Sequence, residues 1–126
     1  MAIVLDGAGQ AKMSTLEEAI LFLQRLHGLV ERFAIAVRSG QETGSFRMQL
    51  QRTATPLAGM LKPQFGMIAD QVMGFILITT RASADQSKLR GMREAVAQIR
   101  MQLEIAVTKV KEHHAVPSDD EPKGAD

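Results

Sequence analysis

Seven apolar residues in the first third of the chain, Leu16, Ala19, Leu23, Leu26, Val30, Phe33 and Val37, follow one another at alternating steps of three and four. Leu89, Met92, Val96, Ile99, Leu103, Ala106 and Val110 repeat the alternation near the other end. A helix turns once in about 3.6 residues, so this spacing gathers each set onto one stripe with polar residues opposite. The pattern predicts helices over about 15–38 and 84–114, each with a coiled-coil-like packing seam. Ser14 with Glu17, and Ser83 with Gln86, have capping-box spacing at the two starts. Ser39-Gly40 and Pro117 stand where the helices should stop, and acids in the first turn (Glu17, Glu18) and bases in the last (Arg38; Lys109, Lys111, His113, His114) suit the helix dipole.

The middle segment, 45–82, carries a helical pattern in Leu57, Leu61, Phe65, Ile68, Val72, Phe75 and Thr79, interrupted by Pro56 and Pro63. Lys62 precedes a proline and is biased away from helical torsions, so the expected break lies at 62–64, with Pro63 in the first turn of a third helix. The competing reading is one long helix kinked at both prolines. A strand over Ile76–Thr80 lacks a second strand-like segment to pair with. The fold class is therefore all-α: an antiparallel bundle of four helices, or three long ones if 45–82 is continuous. The bundle is expected over 14–116, between a flexible segment at 1–13 and an acidic disordered tail at 117–126.

Residues 72–78 are apolar almost all round. In a four-helix monomer each helix keeps a solvated face, so Val72, Met73, Phe75, Ile76, Leu77 and Ile78 are expected to meet a second subunit, making the protein a homo-oligomer. Met48, Met60, Met67, Met73 and Met101 fit the seams less clearly; they read first as core filling and second as an adaptable groove for a protein partner.

Composition narrows the rest. The 126 residues suffice for one domain and contain no cysteine, which removes disulfides and thiolate chemistry and suits the cytoplasm. The N-terminus lacks the basic start of a secretory signal, and the longest apolar run falls far short of the roughly 20 residues that span a bilayer. Residues 14–116 hold 13 Lys and Arg against 9 Asp and Glu, a modest excess with no Trp or Tyr beside it. A nucleic-acid-associated role would rest on Lys88, Arg90, Arg93 and Arg100 of the last helix.

No residue set carries a recognisable reaction. No Asp or Glu stands three residues before His27, His113 or His114, as a di-metal bundle site requires. Gly7-Ala8-Gly9 lacks the third glycine of a dinucleotide loop, no phosphate-binding Gly-Lys-Ser/Thr occurs, and no histidine has a visible partner for a nucleophile. No metal or cofactor is expected. His113 continues the seam and should cover the end of the core, with His114 facing elsewhere, while Glu94 and Glu104 should pair on the surface with Arg90, Arg93 and Arg100.

Thr55-Pro56-Leu57-Ala58-Gly59-Met60 resembles the segment that follows the phosphorylated histidine in the dimerisation helices of sensor histidine kinases. The likeness extends over six residues. It implies a dimeric four-helix bundle built from hairpins kinked at the proline, without phosphotransfer, because Gln51 stands where the histidine would fall. The expectation is a non-enzymatic, self-associating adaptor, chaperone-like or regulatory subunit. The alternatives are the nucleic-acid-associated protein and an enzyme or metalloprotein whose site assembles across subunits.

Overall fold

The computed structural model describes residues 3–117. They form β1 (Ile3–Leu5), α1 (Gly7–Arg38), α2 (Gly44–Leu61), α3 (Gly66–Thr80), α4 (Asp85–His113) and β2 (Ala115–Pro117). The helices pack as a four-membered ring, α1 against α2 and α4, and α3 against α2 and α4. Contacts along α1 and α4 run in opposite directions: Arg93 meets Glu31, Arg100 meets His27, and Lys12 meets His114. The fold is the all-α four-helix bundle expected from the seams.

The core is the seams themselves. All seven α4 stripe residues are buried, as are six of the seven in α1, with Val37 half-buried at the end of its helix. Leu50, Ala54, Leu57 and Leu61 of α2 and Ile68, Val72, Phe75 and Thr79 of α3 complete it. Phe33 and Phe46 cross edge to face at 5.9 Å between ring centroids, an aromatic geometry that joins α1 to α2. Thr79 is the one polar residue fully inside among those described. Its hydroxyl donates to the Ile76 carbonyl at 2.6 Å and accepts from Gln51 Nε2 at 3.1 Å, so burial leaves it satisfied.

The middle segment breaks as expected, but Pro63 lies in the turn between α2 and α3 rather than inside the third helix, which begins at Gly66. The kinked long-helix reading, and with it the hairpin arrangement implied by the kinase-like segment, does not hold. Pro56 sits inside α2 without ending it. Residues 76–80 are helical.

Both capping boxes are corrected. α1 starts at Gly7, two turns ahead of the expected entry at Thr15, and its cap is Asp6, whose Oδ1 accepts from the Gly9 N–H at 2.7 Å. Ser14, Glu17 and Glu18 are interior helix positions, and residues 7–13, expected as flexible, belong to the first two turns. Ala8, Gln10, Ala11, Lys12 and Met13 are good helix formers, and the cost of Gly9 is offset because His114 packs where its side chain would be. α4 starts after Ala84, without a side-chain cap from Ser83. Its first residue, Asp85, instead accepts from Thr43 Oγ1 at 2.9 Å, tying the α1–α2 turn to the α4 entry.

The unexpected element is the ladder of β1 and β2. Ile3 pairs with Pro117, Val4 with Val116 and Leu5 with Ala115, antiparallel, and the Asp6 N–H donates to the His114 carbonyl at 2.9 Å just beyond it. The acidic tail expected at 117–126 lies, from residue 118 onward, outside the described residues.

Candidate interaction surfaces

The apolar segment of α3 divides by the turn of the helix. Val72 and Phe75 are fully enclosed by the other helices, so they are core and not interface, a correction to the sequence reading. Ile76 and Ile78 are half-buried against that core. Met73 is 48% exposed and Leu77 57% exposed, and they are joined at the start of the helix by Met67 at 84%. α3 carries a single charge, Asp70, in its 15 residues. On α4, Met101 and Ile105 are exposed as well, so two neighbouring helices each present large apolar side chains outward.

Between these helices runs a groove of about 710 Å³, lined by Gln71, Gly74 and Ile78 of α3 and Gly91, Ala95 and Gln98 of α4. Its depth follows from small residues. A Cβ on Gly91 would touch Ile78 at 3.4 Å, and one on Gly74 would meet nothing. The side-chain oxygen of Gln71 is buried at this groove with no hydrogen-bond partner among the described residues. An unpaired buried acceptor costs free energy that a donor approaching along the groove would recover. No spacing in the sequence marks this groove, because it depends on which small residues of separate helices come to line it together.

Lys88, Arg90, Arg93 and Arg100 of α4 do not together make one basic face. Lys88 is half-buried at the end of the bundle beside Thr79, Asp85 and Met92. Arg93 is clamped to α1: its Nη2 and Nε donate to the two oxygens of Glu31 at 2.8 and 3.1 Å. This fork holds the Glu31 carboxyl below the usual glutamate range, the Arg93 hydrogen bonds being the main cause and burial a smaller opposing one. The same pair raises Arg93. Arg93 therefore pairs with Glu31 across the helix interface, whereas surface pairing within α4, to Glu94 or Glu104, was expected. Arg100 donates from Nη2 to His27 Nδ1 at 2.8 Å. A guanidinium has no acceptor, so His27 Nδ1 carries no proton in this arrangement. Arg90 and Lys88 sit two residues apart, on opposite sides of the helix.

The second polar cluster closes the bundle at the chain ends. His114 Nδ1 lies 3.0 Å from Asp6 Oδ1, and His114 Nε2 lies 3.4 Å from Lys12 Nζ. A neutral ring with its proton on Nδ1 satisfies all three groups, donating to the carboxylate and accepting from the ammonium. The Asp6 carboxyl is held below the usual aspartate range, chiefly by the Gly9 N–H; burial opposes this, and His114 adds to it. The histidine roles differ from those expected: His113 is exposed, and His114 is the half-buried one that seals the end. As the C-cap it leaves helical torsions, at φ −118° and ψ 8°, which turns its ring toward Asp6.

Among the described residues no three His, Asp or Glu side chains converge to hold a metal ion. No described helix is long and apolar enough to cross a membrane. Comparisons with protein-family models, with curated proteins and with solved structures return no match for this chain.

Proposed function

We propose that this chain is a cytoplasmic helical-bundle protein that acts through protein–protein contact, first with a second copy of itself, as an adaptor, chaperone-like or regulatory subunit. The observation that carries the reading is the outward face of α3. A helix in which only Asp70 is charged stands at a corner of the bundle with Met67, Met73 and Leu77 exposed. Large apolar side chains clustered on a surface favour association, because covering them releases about 25 cal/mol per Å² of apolar area. The near absence of charge suits a second copy, since a self-complementary contact places a patch against itself and like charges there would repel. Methionines fit the same role, their flexible side chains repacking against a partner at little cost.

The test is the mass in solution of the wild type and of Leu77→Asp, by light scattering on a size-exclusion column. A wild type that is dimeric or larger, with a folded monomeric variant, supports self-association through α3. A wild type that is monomeric across the micromolar range overturns it.

A further inference from the structure

A cavity of about 310 Å³ opens at the end of the bundle where α1 begins, α3 begins and α4 finishes. Its volume is within the range of small-molecule sites, about 300–1,000 Å³. The floor is apolar. Phe65 and Ile68 from the start of α3 meet Ala106 and Val110 of the α4 seam, and Ile105 and Met67 extend the apolar wall to the surface.

The rim has the opposite character. Lys12 of α1 and Lys109 of α4 both line the cavity, with His113 and His114 beside them, and none of its lining residues is acidic. Among the described residues neither lysine has a carboxylate within ion-pair distance. The nearest anion of the cluster, Asp6, is already engaged by the Gly9 N–H and by His114. Lys12 is half-buried, and its described polar partner is Nε2 of His114 at 3.4 Å. Two ammonium groups thus line one apolar recess whose described lining holds no carboxylate, an arrangement that favours an incoming anion. Glutamine amides from Gln64 and Gln102 stand at the same rim, able to donate to its oxygens.

The geometry points to a binding site for a small amphipathic anion: a carboxylate head held between Lys12 and Lys109, and a short unbranched apolar body laid over Phe65, Ile68 and Val110. A neutral ligand would make no use of the lysines. A fully hydrophilic anion would leave the apolar floor wet. The site is built from a single chain and shares Met67 with the outward face of α3, while Lys12, Lys109 and Val110 lie apart from that face.

The probe is octanoate, kept well below its micelle-forming concentration, with binding read from amide shifts in ¹⁵N spectra of the full chain. The expected result is saturable shifts at Lys12, Ile68, Ile105, Lys109 and Val110. Octan-1-ol, with the chain but no charge, and acetate, with the charge but no chain, should each bind at least about tenfold more weakly, the loss of one charge-assisted contact or of the buried chain. Lys109→Met, at an exposed position that leaves the fold intact, should weaken octanoate about tenfold and leave octan-1-ol unchanged. Shifts confined to another surface, equal affinity for octan-1-ol, or an indifferent Lys109→Met would each overturn the proposal.

Discussion

Nδ1 of His114 stands 3.0 Å from Oδ1 of Asp6, a residue 108 positions away in sequence. The same carboxylate caps α1 through the Gly9 N–H, so one side chain starts the first helix and holds the residue that finishes the last. The β1–β2 ladder lies immediately beyond it.

This carboxylate gives the fold a pH dependence of definite sign. The Asp6 pKa is lowered by folding, so its stabilisation is present above the unfolded aspartate value and is lost as pH falls through the folded one. Asp6→Asn, which keeps a capping oxygen but no titrating group, should be less stable than wild type at pH 7. The two melting temperatures should converge in acid, below the usual aspartate range, as the wild-type carboxyl protonates. Thermal melts followed by circular dichroism from pH 7 to pH 2 test this; a constant gap between the two would show that the charge contributes nothing.

Two glycines of α1 should respond to alanine in opposite ways. Glycine within a helix ordinarily costs about 0.5–1 kcal/mol relative to alanine. A Cβ at Gly28 meets nothing, so Gly28→Ala should stabilise by about that amount. A Cβ at Gly9 would collide with the Cβ of His114, so Gly9→Ala should destabilise despite its better helix propensity. Urea unfolding of both variants reads the two signs directly.

Substitutions two residues apart in α3 should separate core from surface. Phe75 is fully buried, and Phe75→Ala should cost about 3–5 kcal/mol, a large share of the stability of a domain this size. Leu77→Asp should cost within about 1 kcal/mol when measured at low protein concentration, since it changes an exposed position and a modest helix propensity. Similar losses in urea titrations would mean that Leu77 is packed inside the chain.

Pro56 is a third lever. It lies inside α2, exposed, where it has no N–H for the carbonyl one turn back and its ring crowds that turn. Pro56→Ala should stabilise by about 1–2 kcal/mol, the regained helical bond being partly offset by the greater freedom of the unfolded chain. A decrease in the urea midpoint would show that α2 depends on the proline.

The seams were readable because alternating steps of three and four leave one geometric solution, and Leu89 through Val110 are buried without exception along that stripe. Helix starts were less readable. Ser14-Glu17 has capping-box spacing, yet the helix passes through it, because Gly9 gains from its fit against His114, a contact made only after the ends of the chain meet. An all-round apolar stretch such as 72–78 shows that much must be covered but not from which side. Val72 and Phe75 turned inward, leaving Met73 and Leu77 outside. His113 continued the α4 stripe on paper, and the end of the helix one residue later gave the sealing position to His114. The Lys12–Lys109 cavity had no sequence signature, since its parts come from three helices.

The three-residue ladder that joins Ile3–Leu5 to Ala115–Pro117 makes the bundle topologically close to a ring. Each helix is followed by its spatial neighbour, and α4 leads back to α1. The order in which the helices are synthesised is therefore not built into their packing. A permuted chain that begins in the 39–43 turn and carries a linker across the paired strands would retain every helix–helix seam, and would trade the entropy of closing one loop for that of another.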